Sequence, residues 1–395
     1  MAAENWKTQT WWSLPVYTGD VSGVCSALYE LGGMVVMHDP SGCNSTYNTH
    51  DEIRWTESES LIFLSGLTQL DAITGNDERL IDDIASAARE FHPEFIAIAN
   101  SPVPWLIGTD FAAICSKVRS LTGIPAFHVE TNAMHDYTRG AGQAFLQLGR
   151  MLFPESIAKE RNSKDKILVN VLGMTPLDFT CREDVHTIRR LLKSKGFEVI
   201  SVWAIDDSLD HLRRSLQADV NLVVSSAGID TARWMEETFG IPYTAGIPVG
   251  AFAEVLLGEL KRCAREGGSS AAYLRVLEKA GEGNGDTSCD RCAVGEPVTM
   301  GSIAADLVLR DQKPCGLIPL TETVKGLIPE NVLRPAGEQQ IREALAGFRE
   351  VIADPMLKNA CQSGCIFHEQ PHFALSGRLY LDQMKPLCFA KGDVR

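Results

Sequence analysis

Gly23-Val24-Cys25-Ser26-Ala27-Leu28, followed by Met34-Val35-Val36-Met37 and then His38-Asp39-Pro40-Ser41-Gly42-Cys43, is the stretch on which the reading of this chain turns. An apolar helical pattern gives way to a short, continuously apolar run, and that run ends in a turn bearing Pro and Gly. A strand without polar alternation is buried on both faces, as in parallel sheets covered by helices. The same stretch carries two thiols, Cys25 where the helical pattern begins and Cys43 at the end of the turn. Thiolates so placed can converge on one soft metal centre, an iron–sulfur cluster being the usual case. The plainer reading is two packed, reduced thiols, since free Cys is among the most buried residue types.

The motif of apolar run and helix repeats outward from there. Phe95–Ala99, Ile124–Val129, Ile167–Val171, Val199–Val202, Asn221–Val224, Ala293-Val294, Cys315–Ile318 and Val351–Ala353 read as further strands. Helical stretches such as Asp82–Phe91 and Val185–Lys195 lie between them, the second closed by Gly196. The pattern predicts an α/β chain of three Rossmann-like domains with parallel β-sheets flanked by helices. Polar punctuation sets the expected boundaries. Lys159–Lys166 and Glu282–Ser288 divide the chain into 1–160, 161–285 and 286–395. Ala293–Ser302 reads as a strand, turn and helix opening the third domain, without the three-glycine dinucleotide spacing. No Gly-Lys-Ser or Gly-Lys-Thr occurs, so the chain has no P-loop with which to hydrolyse ATP itself.

Composition excludes several classes. A chain of 395 residues exceeds one ordinary core. Its net charge of −14 argues against nucleic acid, whose phosphates need clustered Lys and Arg. No apolar run reaches the roughly 18 residues that span a bilayer. Met1–Lys7 lacks the charged and apolar regions of a signal peptide, so a cytoplasmic protein is expected. In a reducing compartment, eleven Cys point to metal or redox use for a subset rather than to disulfides.

Taken in order, these segments resemble the nitrogenase component 1 superfamily, whose members include the catalytic subunits of nitrogenase, of dark-operative protochlorophyllide reductase and of the nickel-sirohydrochlorin reductive cyclase. Cys25 and His38–Cys43 look like the first two cluster cysteines, the second on a Gly-Pro-x-Gly-Cys loop. Phe63–Asn76 is similar to the segment "Ser-x-x-Thr-Glu…Phe-Gly-Gly". Asn100–Asp110 is similar to "Thr-Cys-…-Ile-Gly-Asp-Asp", with Ser101 where many relatives have a third cysteine. Ile124–His135 is similar to the "Val-Pro-Val…His-Thr-Pro-Gly-Phe" region. Ala353-Asp354-Pro355 and Pro371–Gly377 resemble shorter members.

The resemblance implies a homodimer in which Cys25 and Cys43 of each protomer hold one shared [4Fe–4S] cluster. Such a cluster takes four thiolates and two copies supply them. It implies a reductase that receives low-potential electrons from an ATP-hydrolysing, P-loop iron protein. The substrate is tetrapyrrole-like or a small molecule, the compact tetrapyrrole-reducing type being favoured by chain length. Proton delivery falls to His135 or Glu130, in the region of the family's substrate cavity, with His128 and His372 as lesser candidates. Arg139 is read as a clamp for a substrate carboxylate or, more plainly, half of a surface ion pair, and His38 as a tuner of the cluster or, more plainly, a strand-end histidine bonded to backbone. The Cys43 loop, Ser65–Asn76 and Ile107–Asp110 form the expected docking face. Trp6, Trp11 and Trp12 suggest an arm on a partner. Cys289-Asp290-Arg291-Cys292 together with Cys361 and Cys365 offers a four-thiol zinc or cluster set, against a default of ordinary thiols. Two other roles stand beside the enzyme: a non-catalytic scaffold for metallocluster or tetrapyrrole assembly, and a small-ligand binding protein.

Overall fold

The computed structural model describes residues 13–40, 52–156, 166–180, 182–282, 289–322, 324–330 and 332–390. The first unit contains α1 (Asp20–Leu28), β1 (Met34–His38), β2 (Leu61–Leu64), α2 (Gln69–Thr74), α3 (Asp77–Phe91), β3 (Ile96–Asn100), α4 (Pro102–Ile107), α5 (Phe111–Thr122), β4 (Ala126–Val129) and α6 (Tyr137–Leu152). Its sheet runs β2-β1-β3-β4, every pair parallel. The second contains β5 (Ile167–Met174), α7 (Arg182–Ser194), β6 (Phe197–Ala204), α8 (Leu209–Leu212), β7 (Val220–Val223), α9 (Ile229–Phe239), β8 (Tyr243–Ala245), β9 (Val249–Gly250), α10 (Phe252–Glu266), β10 (Ser270–Ala271) and α11 (Ala272–Glu282). Its sheet, β10-β8-β7-β5-β6, is again parallel throughout. The third contains β11 (Arg291–Gly295), α12 (Pro297–Asp311), β12 (Gly316–Pro319), α13 (Glu338–Leu345), β13 (Glu350–Ala353), β14 (Ile366–Glu369) and α14 (Phe373–Ser376), in the parallel order β12-β11-β13-β14. A last strand, β15 (Phe389–Ala390), returns to pair with β9 of the second unit.

The chemistry of the strands explains this architecture. β1, β3 and β11 are buried at every position, which only a sheet covered on both faces permits. One apolar cluster runs from Val24 and Phe145 of the first unit through Leu168 and Trp203 of the second to Met300 of the third. Met34, Ile81, Ile96 and Ile114 pack the other face of the first sheet, and Cys292, Val294, Val351 and Leu357 pack a face of the third.

Helices α1 and α6 cross with almost no room between their backbones. A Cβ on Gly140 would overlap the Asp20 carbonyl oxygen, and one on Gly23 would overlap that of Tyr137. The crossing seats α1 deep in the molecule, with all of its residues but Ser22 buried.

Candidate functional site

Gly19 caps α1 and Asp20 opens it, so Cys25 sits in the helix interior rather than at its start, where the sequence pattern had put it. The reason is local: Asp20 accepts from the backbone N–H of Val21, and also from Asn132 and Ala133 at 2.9 Å each, which fixes the helix start five residues upstream. Cys25 is wholly buried, and burial, with the nearby charge of Glu52, pushes its thiol well above the usual range.

Cys43 lies outside the described residues. Just after its segment, the buried Arg54 donates to Glu52 at 2.6 Å, to Glu30 at 3.1 Å and to the Ser26 carbonyl of α1 at 2.8 Å, and lies over the Tyr29 ring. Two orphaned groups mark the carboxyl end of the first sheet. Among the described residues, neither carboxylate oxygen of the buried Asp39 has a hydrogen-bond partner, nor does the hydroxyl of Ser101. Ser101 caps α4 beside β1, its N–H donating to the His38 carbonyl at 3.2 Å.

Two histidines here are neutral. His38 meets the Ser65 hydroxyl at 2.8 Å, and burial lowers its pKa to about 4. His128 meets the Asn100 side chain at 2.7 Å, stacks on Phe111, and is likewise lowered to about 4 by burial. Thus His38 bonds a side chain rather than the backbone.

Beside this end of the sheet, α2 and α4 present an apolar surface to solvent. Ile73 is 83% exposed and Leu106 is 72% exposed, with Leu70, Trp105 and Ile107 also open. No residue of α2 is buried. A contiguous apolar surface of this kind marks an interaction site.

A second assembly lies deeper, where the three units meet. Backbone bonds stitch them together: Thr18 N–H donates to Ala374 O, Ala374 N–H to Leu177 O, and Tyr137 N–H to Thr18 O. Around these bonds the Tyr137 hydroxyl donates to Asp178 at 2.5 Å, the His372 ring meets Asp178 at 3.2 Å and the Tyr17 hydroxyl at 3.4 Å, and the His372 N–H donates to Asp354 at 2.7 Å. Glu296 caps α12 by accepting from Thr299 N–H at 2.7 Å, and reaches across to accept from Ser226 N–H at 2.9 Å.

Asp178, Glu296, Asp354 and His372 all follow the carboxyl ends of parallel strands, where open α/β sheets bind ligands. They close on a cavity of about 20 Å³, room for one water-sized molecule, which Thr299 also lines; among the described residues its buried hydroxyl has no partner. Burial, reinforced by the Asp178 charge, raises the pKa of Glu296. Burial lowers that of His372, but the bond to Asp178 and the charges of Asp178, Asp354 and Glu296 outweigh it and leave the imidazole raised. The junction therefore retains protons that solvent would strip.

The remaining sequence candidates lie apart from this junction. His135 makes a surface pair with Glu322 at 2.8 Å, both side chains 43% exposed, and Glu130 is exposed. Arg139 is exposed on α6. Cys115, Cys263, Cys315 and Cys388 are buried, as expected of core residues, whereas Cys181 and the three N-terminal tryptophans lie outside the described residues. Among the described residues no three His, Cys, Asp or Glu side chains come together as a metal site.

Comparison with known proteins bears on this geometry. The sequence matches the family described as nitrogenase component 1 type oxidoreductase over residues 23–262. The chain belongs to this family. Among curated proteins it is 29% identical to the B-type component of the light-independent protochlorophyllide reductase of Synechococcus sp. (strain CC9311) over 177 residues, 42% of this chain and 34% of that one. It is 24% identical to the nitrogenase iron-molybdenum cofactor biosynthesis protein NifE of Methanosarcina barkeri over 221 residues, 53% of this chain and 46% of that one. The matches thus span about a third to a half of these relatives. Two solved structures of nitrogenase Cp1, at pH 5 and pH 6.5, share the fold at TM-scores of 0.61 and 0.65, with 17% and 14% identity. They cover 95% and 94% of this chain and 86% and 88% of those chains.

As a member of the nitrogenase component 1 family, the chain stands among nitrogenase-like oxidoreductases and the cofactor-biosynthesis proteins related to them. The donor set fits an iron–sulfur cluster under one condition. Cys25 alone is no site; only with Cys43 and a second copy would it make up the four thiolates that a four-iron cluster takes. The polar junction, apart from His372, was not anticipated from the sequence. Its one local signal is a recurring arrangement, an acid or His beside Pro at a strand end, seen in Glu296-Pro297, Asp354-Pro355 and Pro371-His372.

Proposed function

We propose that the chain is the catalytic component of a nitrogenase-like oxidoreductase. It works as a homodimer whose two copies share one [4Fe–4S] cluster through Cys25 and Cys43 of each, receives low-potential electrons from an ATP-hydrolysing iron protein, and reduces a bound tetrapyrrole-like or small-molecule substrate. The observation that carries this reading is the family match over residues 23–262, supported by Arg54, which ties the chain just beyond the Cys43 segment to the helix that holds Cys25. A bound cluster would supply one-electron transfer at low potential. Cys25, sealed in the core, would sit in a dry site. The apolar face of α2 and α4, within the segments expected to form the docking face, would receive the iron protein. The junction around His372 would hold the protons that reductive chemistry consumes, with His135 and Glu130 as acids at the surface.

The test is anaerobic purification followed by iron and sulfide analysis, EPR after reduction, and measurement of mass in solution. The reading expects about four irons per dimer, a reduced-cluster signal, and loss of both in Cys25→Ala and in Cys43→Ala. Colourless, EPR-silent dimers would overturn it. The likeness to NifE supports a second reading, a scaffold that builds a metallocluster and passes it on. Transfer of iron to a separate apo-protein, without substrate turnover, would favour that role.

A further inference from the structure

Five thiols gather at the amino-terminal edge of the third sheet, the edge opposite the polar junction. Cys289 and Cys292 open β11, Cys315 immediately precedes β12, and Cys365 immediately precedes β14 with Cys361 four residues before it. Cys361, Cys365 and Cys292 pack in one apolar cluster, and the other four sulfurs all lie within electrostatic reach of Cys292. Cys289 spends its thiol on the Arg291 carbonyl at 3.1 Å, and Cys292 and Cys315 are buried.

Cys361 and Cys365 differ from the rest. Both are half-buried; the Cys361 thiol points to the Leu357 carbonyl at 3.9 Å and the Cys365 thiol to the Ile366 carbonyl at 3.6 Å, the latter at the surface. The segment between them is a tight turn: Cys365 N–H donates to Gln362 O at 3.2 Å, and Gly364 takes φ of +88°, which a side chain would resist. A turn of this kind draws its flanking Cα atoms toward the spacing a disulfide requires.

From this turn-closed, closely packed and solvent-reachable pair we infer a reversible dithiol–disulfide site at Cys361 and Cys365 that exchanges with small-molecule disulfides. The division of labour follows from exposure: the Cys365 thiol lies at the surface and the Cys361 thiol deeper, so Cys365 meets a small disulfide first and Cys361 resolves it. The Cys365 thiolate attacks one sulfur of a disulfide R–S–S–R and expels one thiolate R–S⁻. The Cys361 thiol then gives up its proton and attacks the Cys365 sulfur, releasing the second R–S⁻, with the proton going to solvent or to the leaving thiolate. The two cysteines are oxidised by two electrons and the small disulfide is reduced to two thiols. The closed bridge would staple the connection from β13 to β14, whose other end, Asp354, holds the His372 backbone in the junction.

The experiment treats the anaerobically purified full chain with excess oxidised glutathione, alkylates the free thiols, and maps the digest by mass spectrometry. The wild-type peptide spanning both cysteines should appear two hydrogens lighter and unalkylated, and dithiothreitol should restore it. In Cys361→Ser, glutathione should remain attached to Cys365. In Cys365→Ser, Cys361 should stay reduced. The proposal fails if the wild-type pair stays alkylated while other cysteines oxidise, if Cys361 is glutathionylated in Cys365→Ser as readily as Cys365 is in Cys361→Ser, or if the purified chain carries zinc that releases all four thiols of Cys289, Cys292, Cys361 and Cys365 on chelation. Wild-type mapping needs no variant to fold, and none of these readouts depends on the shared cluster.

Discussion

At position 372 an imidazole faces the Asp178 carboxylate directly, with Asp354 and Glu296 close behind and the Tyr17 and Tyr137 hydroxyls beside it. Its native pKa is raised above the unfolded value, so its stabilising contribution is fully present below that unfolded value and is lost as pH rises through the native one. Glu296, also raised, works in the same direction. Replacing His372 with Gln should therefore lower unfolding free energy by about 1–3 kcal/mol near pH 6, because a buried Asp178 loses a charged donor. The deficit should shrink as pH climbs. Urea unfolding across a pH series measures this, and a deficit that stays constant would assign His372 a packing role only.

Between elements, the crossing of α1 and α6 is an unusually close contact, because Gly23 and Gly140 each face a carbonyl oxygen of the other helix. Gly140→Ala should cost about 1–3 kcal/mol or more by overpacking, measurable as a fall in thermal midpoint, since backbone rather than a flexible side chain must yield. Gly258→Ala on α10, where a new Cβ meets nothing, is the matching control and should be neutral or slightly stabilising. At this scale the sequence was largely legible. β1, β3, β5 and β13 fall within a few residues of their expected bounds because continuous apolarity is a local signal. Three kinds of strand escaped notice. β8, β9, β10 and β15 are two or three residues long, too short to show a period, β14 is an exposed edge with little apolar content, and β2 lies in a segment whose motif resemblance drew attention from its Leu61-Ile62-Phe63-Leu64 run.

Over the whole molecule, what the sequence hid is what the fold assembles. Tyr17, Tyr137, Asp178, Glu296, Asp354 and His372 are spread across more than half of the chain, and no spacing rule links them. The resemblance had already picked out Ser65–Asn76 and Ile107–Asp110 as a docking face, whereas the exposed apolar side chains of α2 and α4 there became visible with the fold. On the docking reading, Leu70→Glu combined with Ile73→Glu should weaken binding of the iron protein by about 2 kcal/mol or more while leaving far-UV circular dichroism unchanged. Titration of the iron protein against cluster reduction reads the difference, and unaltered binding would overturn the docking role.

The chamber bounded by Tyr17, Glu296 and His372 admits something the size of a water molecule and no more. A planar macrocycle could enter it only by prising the sheets apart, which would sever the contacts of Asp178 with His372 and of Glu296 with Ser226 together. At this junction, then, there is room only for protons and molecules of a few atoms.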